Sequence, residues 1–324
     1  MGVALAHQIA LNGFDVVLLT TMEDRAKELR ETGTIASILP ELKQISDRVT
    51  ITTDPQLIGE RTTLIFVTIS DYLLTKVLEN LGDHLNGAHF IVHATHSLYG
   101  ETLQRTSELI ESYTCVKQIG VLAGPMHMSE LLERKPNVAL VGSEFPEVVT
   151  RARQTLSTGH FHIYGSSDIR GVEYAAALHQ VVALAIGMAD GLELGSATHA
   201  AFVPAGLQEI ARVGVEQGAQ VNSFYSLVGV GRIVDALHRG EPNYSHGLVW
   251  MRDGREEAMK VASLEAKGPE VVRQLMAWAQ GNGVSLPFTE AIASILDGTV
   301  DAEETLRALL LQSDLFAQSG AISL

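Results

Sequence analysis

The sequence predicts an α/β domain on a largely parallel sheet, followed by an all-helical domain. Three observations carry this expectation. The chain has 324 residues, enough for two hydrophobic cores. Up to Gly165, short runs rich in Val and Ile alternate with helical stretches, the grammar of βαβ units. Beyond Gly165 the pattern changes to long apolar helices with glycine-rich joints and no convincing strand. The boundaries read this way are 1–165 and 166–324, with no flexible linker between them.

In chain order, residues 2–12 read as a helix, "DVVLL" (15–19) as a strand and 23–32 as a charged amphipathic helix. "VTITT" (49–53) and "TLIFVTI" (63–69) read as strands, followed by a helix over 71–81. "HFIVHAT" (89–95), "CVKQIGVLAG" (115–124), "NVALVG" (137–142) and "FHIYG" (161–165) continue the strand series. Helical stretches are expected over 101–113 and 145–157. No repeat at solenoid spacing and no low-complexity tract is present.

Composition narrows the function. The formal charge is −15, from 23 Lys and Arg against 38 Asp and Glu. No basic face can be drawn from so few scattered cations, which argues against nucleic acid and anionic membrane as partners. Cys115 is the single cysteine, so there is no internal disulfide and no thiolate metal cluster. The apolar start of the chain is interrupted by His7, Gln8, Asn12 and Asp15, so it reads neither as a signal peptide nor as a span. A reducing cytoplasm is the default compartment.

The N-terminus is unusual. "MGVALAHQIALNGFDVVLL" reads as the helix and second strand of a dinucleotide-binding βαβ unit without the strand and glycine turn that should come first. In that unit the glycines let the backbone approach a pyrophosphate, which the helix N-terminus then holds. Gly2 is the candidate for the last glycine of the set. In a doubly wound sheet the first strand is central, so its absence leaves two inner strands with unpaired edges. Either residues precede Met1 in the natural chain, or the sheet is altered at its centre. After the second strand, Thr20, Thr21 and Met22 offer neither a carboxylate for the ribose hydroxyls nor an arginine for a 2′-phosphate, which leaves NAD or NADP open.

In the stretch "VEYAAALHQVVALAIGMADGLELG" (172–195), nearly every residue from Tyr174 to Met188 is apolar or small on all sides of a helix, so it is expected to be buried. His179 and Gln180 sit in its middle, where each polar atom needs a partner. A core histidine bonded to a backbone carbonyl is the competing reading to a site residue.

Several segments together resemble the bacterial NAD(P)-dependent glycerol-3-phosphate dehydrogenase family over nearly the whole chain. They are "MGVALAHQIALNGFDVVL", "LAGPMHMSE" before "PNVALVGS", "DIRGVEYAAALHQVVALAIGMADGLELG", "AAFVPAGLQEIARVG", "FYSLVGVGRIVDA", "PNYSHG" and "SLEAKG". The spacing of Gly and Ala in 168–195 is the most specific of these. The resemblance implies a Rossmann-type NAD(P)-binding domain lacking its first strand, over 1–165. It also implies an all-α substrate domain of the 6-phosphogluconate dehydrogenase-like type, over 166–324. A hydride would move between NAD(P) and C2 of glycerol 3-phosphate or dihydroxyacetone phosphate, or a divergent analogue, in a cytoplasmic homodimer.

The resemblance also exposes replacements. His179 stands where the family carries its catalytic lysine, and Gln180 where asparagine is usual. His96 stands at a second lysine position, Arg232 replaces an aspartate, and Pro242 replaces the arginine of an Arg-Asn pair whose Asn243 is kept. An imidazole can exchange a proton with a substrate oxygen near neutrality, so His179 is a chemically competent substitute. His96 follows a strand end, the usual place for ligand contacts in such sheets. His93 beside it is too weakly specified for a metal site. Arginine grips an anion through a bidentate fork and proline offers no donor, so phosphate recognition weakens at Pro242 while Arg232 can compensate. Gly124 and Pro125 match a turn that brings backbone donors to the substrate, and Glu265 matches a glutamate near the nicotinamide end. The substrate-binding set is therefore Gly124, Arg232 and Asn243, and the cofactor set is Gly2 and Glu265. The alternative is a catalytically silent relative that binds a ligand or a partner protein.

Overall fold

The structure is a computed structural model and describes residues 1–239, 241–261 and 266–312. The chain divides into two compact units, 1–96 with 106–172, and 97–105 with 173–324.

In the first unit α1 (Gly2–Leu11) leads into β1 (Val16–Leu19), α2 (Glu23–Thr32) and β2 (Val49–Thr52). Then come α3 (Gln56–Arg61), β3 (Leu64–Val67), α4 (Asp71–Gly82) and β4 (Phe90–His93). A short hairpin of the second unit, β5 (Leu98–Tyr99) with β6 (Gln104–Arg105), interrupts the series. The first unit resumes with α5 (Thr106–Tyr113), β7 (Gln118–Ala123), α6 (Met128–Leu132), β8 (Asn137–Gly142), α7 (Pro146–Leu156) and β9 (Phe161–Ser166). α8 (Ile169–Gly191) starts here and continues into the second unit at Glu173.

The strands form two separate sheets. β1 pairs with β2 in parallel, and a five-stranded sheet runs β3-β4-β7-β8-β9. Its pairs are parallel except for the antiparallel β7–β8. Among the described residues β1 and β3 therefore each have one strand neighbour. α1 packs on both sheets through different faces. Leu5 and Ile9 enter the core with Phe90, Val92, Leu122 and Phe161, whereas Ala4, Ala6 and Ala10 join Leu29, Ile35 and Val49. Val16 and Met128 touch both cores.

The helix expected over 101–113 is corrected. Its first turn is the β5–β6 hairpin, with Gly100 at φ 65° and Leu103 at φ 55°, values an α-helix excludes. Tertiary contacts within the second unit select this shape. The Arg105 guanidinium donates to the Glu173 carboxylate at 2.7 Å, and both side chains are buried. Tyr174 Oη donates to the carbonyl of fully buried Leu103, and Gln274 Nε2 donates to Leu98 O. For the same reason the unit boundary differs from the one read at 165/166. It falls at 172/173, and residues 97–105 go with the helices.

The second unit adds α9 (Ser196–Glu216), α10 (Val221–Phe224), α11 (Val230–Arg239) and α12 (Pro242–Asp253). α13 (Arg255–Val261), α14 (Gly268–Asn282), α15 (Pro287–Leu296) and α16 (Ala302–Leu311) complete it. α8 is its axis. It is long and apolar enough to cross a membrane, yet every residue from Gly171 to Ala189 is buried, which marks a core helix. Glycines let α12 meet it backbone to backbone. A Cβ at Gly187 would fall on the Tyr244 carbonyl, one at Gly247 on the Leu184 carbonyl, and one at Gly191 2.6 Å from Leu248 O.

Two outcomes are expected. Hydrogen bonds from Val16 and Thr20 point β1 toward β2, so the Val17 and Leu19 amides face away; by the same alternation Leu64 and Phe66 of β3 face away from β4. Native-state hydrogen exchange should find these four amides at least about a hundredfold faster than those of Ile91 and Val121. Gly187→Ala should lower the thermal midpoint, because overpacking against backbone costs about 1–3 kcal/mol and exceeds the ~1 kcal/mol that alanine gains in a helix. Gly281→Ala, in α14 with open space at its Cβ, should hold or raise it.

Candidate functional site

The candidate residues fall into two groups, one in each unit. The group in the helical unit is centred on His179, which is fully buried on α8. Its Nδ1 lies 2.9 Å from Ala176 O, and its Nε2 lies 3.4 Å from both Nε and Nη2 of Arg232 on α11. A carbonyl only accepts and a guanidinium only donates. The proton therefore sits on Nδ1, and Nε2 presents its lone pair to Arg232.

The next residue on α8 brings in a further partner. Gln180, also buried, receives a long bond at 3.4 Å on Oε1 from Asn243 Nδ2. Asn243, 1% exposed on α12, accepts from Gly268 N at 2.5 Å through Oδ1. Gly268 stands so close that a Cβ there would meet Asn243 Oδ1 at 3.0 Å and Gln180 O at 3.2 Å.

Glu241, absent from the sequence candidates, completes this group. It is the N-cap of α12: its carboxylate accepts from Asn243 N at 2.8 Å, Tyr244 N at 3.2 Å and Asn243 Nδ2 at 2.6 Å. Burial pushes its carboxyl above the usual carboxylate range, against the pull of these donors and of the Arg232 guanidinium. An acidic residue directly before a proline at the first helical position is a helix-start signal, and that signal could have found it. Tyr244 fixes the same end of α12 by donating to Asp190 Oδ2 at 2.5 Å, while His199 holds Asp190 Oδ1 at 2.6 Å. Desolvation, with Asp190 beside it, pushes the Tyr244 hydroxyl up to about 12.

The group in the α/β unit lies at strand C-terminal ends. His96 follows β4 and its Nε2 lies 2.9 Å from Leu122 O on β7, so the ring donates there. Gly124, just past β7 at φ 140°, stands so close to β8 that a Cβ would lie 3.1 Å from Ala139 Cα. Gly2 opens α1 beside the end of β3, where a Cβ would sit 2.6 Å from Thr68 Oγ1. The N-cap residue, Met1, makes no side-chain cap bond to α1. This glycine-tight helix start suits a phosphate-bearing nucleotide. At the end of β1, Met22 N donates to Thr20 Oγ1, and nearby Glu23 is engaged by Thr53 and Arg30. Glu265 lies outside the described residues.

Residues 1–149 match the family described as NAD-dependent glycerol-3-phosphate dehydrogenase N-terminus, and 168–307 match its C-terminus. Glycerol-3-phosphate dehydrogenase (NAD(P)+) of Leptospira biflexa is 30% identical over 316 residues, covering 95% of this chain and 94% of that protein. The Exiguobacterium protein of the same name is 30% identical over 300 residues, covering 91% and 88%. Among solved structures, the glycerol-3-phosphate dehydrogenase of Coxiella burnetii has a TM-score of 0.86 at 23% identity, covering 95% of each chain. The chain belongs to the NAD-dependent glycerol-3-phosphate dehydrogenase family. By family it is an NAD(P)-linked oxidoreductase acting on a CH–OH group, with a Rossmann-type unit and an all-α unit.

The helix that carries Asn243 also buries His246, 3% exposed, with neither ring nitrogen hydrogen-bonded among the described residues and its ring 5.5 Å from that of Trp250. Desolvation lowers its pKa from 6.5. The unfolded chain thus takes up this proton first, and stability falls as pH drops below about 6.5 toward the folded value. His246→Phe should remove that loss, so thermal midpoints of variant and parent should diverge progressively between pH 7.5 and pH 5.5, with the variant higher at the acid end.

Proposed function

We propose that this chain moves a hydride between NAD(P) and the CH–OH carbon of a small hydroxy or keto substrate, with His179 as acid/base. The observation that carries the reading is the contact between buried His179 and half-buried Arg232, in which Nε2 is an acceptor. In the oxidation direction Nε2 takes the hydroxyl proton as the carbon gives up its hydride, and in reduction it returns that proton. The Arg232 contact, at 3.4 Å, is at the long limit for a hydrogen bond, so a substrate hydroxyl competes for the lone pair. Arg232 then donates to the substrate oxygen and stabilises the negative charge that develops on it. Gln180 and Asn243 supply amide groups for further hydroxyls, and the Asn243–Gly268 bond keeps that amide in one orientation. The bound dinucleotide supplies the hydride donor or acceptor. The residues that would hold it are Gly2 with the first amides of α1, and Thr20 past β1. His96 and Gly124 are assigned to the substrate by the family resemblance, as is a cytoplasmic homodimer.

A silent, ligand-binding relative is the second reading, favoured by the occupied Nε2 of His179. One preparation decides between them. His179→Ala should lower turnover by about two to four orders of magnitude with little change in KM, measured with a panel of three- to five-carbon polyols, their ketones and glycerol 3-phosphate. A fall in thermal midpoint with an unaltered rate per folded molecule would make His179 a core residue only. Absence of turnover by the parent across the panel would favour the silent relative.

A further inference from the structure

Three helices of the helical unit meet at one half-buried carboxylate. Asp190, at the C-terminal end of α8, accepts from Tyr244 Oη of α12 on Oδ2 at 2.5 Å. On Oδ1 it accepts from His199 Nε2 of α9 at 2.6 Å, the ring nitrogen being the donor because a carboxylate only accepts. Both bonds are short, as hydrogen bonds to an ionised acceptor are. Tyr244 is thereby held at two levels of α8. Its carbonyl lies against Gly187, where a Cβ would fall on it, and its hydroxyl reaches Asp190. Asn243 is the residue before it. The Asn243 amide meets Gly268 N at 2.5 Å and Gln180 Oε1 at 3.4 Å. The second of these is at the long limit for a hydrogen bond, so a small rotation of α12 would break it.

We infer that Asp190 is a positioning residue for substrate binding: through Tyr244 it fixes the rotation of α12, and with it the Asn243 amide against Gln180. This rests on the dehydrogenase reading, in which Gln180 and Asn243 meet substrate hydroxyls. Asp190 itself touches no reacting atom. Its part is to hold the amides in place before the substrate arrives, so that binding does not have to order them. His179 acts differently, on the proton in transfer, and the two roles leave different kinetic signatures. A displaced Asn243 weakens ground state and transition state alike, which raises KM and keeps kcat. A purely structural role for Asp190 would lower the folded fraction and leave KM unchanged.

The test is a double-mutant cycle on the full chain with Tyr244→Phe, Asp190→Asn and the two combined, assayed on the same panel of polyols, ketones and glycerol 3-phosphate. Tyr244→Phe keeps the ring and the backbone seat on Gly187, so it remains informative should Asp190→Asn fail to fold. Each single variant should raise KM about tenfold, with kcat per folded molecule held within about threefold. The double variant should be no worse than Asp190→Asn alone, because the two residues act as one unit. An unchanged KM in the folded single variants would overturn the assignment, as would additive effects in the double. If the parent turns over nothing in the panel, the dehydrogenase reading fails separately, and calorimetric titration of glycerol 3-phosphate reads the same cycle. Binding about tenfold weaker in each single variant then upholds the role of Asp190. Equal binding by parent and variants, or none by the parent, overturns it.

Discussion

The helical unit depends on the contact between α8 and α12 at glycines. Gly187 and Gly191 on one helix and Gly247 on the other remove the side chains that would otherwise separate them, so each helix meets the other's backbone. That close approach leaves Asn243 within reach of Gln180 and Gly268, and it places the start of α12 at the level of the His179 turn. Tyr244 and His199 hold Asp190 from two other helices, and Tyr244 thereby ties the start of α12 to the C-terminal end of α8. A larger residue at any of the three glycines would move the polar groups as well as the helices.

The positions where the family resemblance implies replaced charges lie on this scaffold. A fully buried imidazole whose two nitrogens each have a partner needs no ionisation to be stable there, unlike a buried ammonium, which costs desolvation unless paired. Histidine at 179 therefore fits with arginine at 232, which can donate to a neutral Nε2. Glutamate at 241 fits with proline at 242, because the first supplies the acceptor and the second the fixed φ of a first helical position.

In the α/β unit the corresponding constraint is α1. Its two faces serve two cores, so the helix joins the β1–β2 pair to the five-stranded sheet through side-chain packing where no strand hydrogen bonds do so among the described residues. The half-buried pattern of all four β1 residues, against the fully buried β4, reflects the difference between one strand neighbour and two.

Much of this was legible in the sequence. Periodicity placed nearly every strand of the α/β unit, because alternation and β-branching are local properties, and the all-round apolar run at 174–188 announced a buried helix. Its two polar residues singled out His179 and Gln180, and the family pattern singled out Arg232 and Asn243. What only the tertiary structure decided are relations between distant residues. The 97–105 hairpin is set by Arg105 meeting Glu173, 68 residues away, and by Leu103 and Leu98 accepting from Tyr174 and Gln274. The tautomer of His179 follows from a partner 53 residues on. Local sequence specifies which segments bury their surface. Hydrogen-bond polarity at a site is specified only when separate segments are brought within 3.5 Å, because donors and acceptors act over that range and no further.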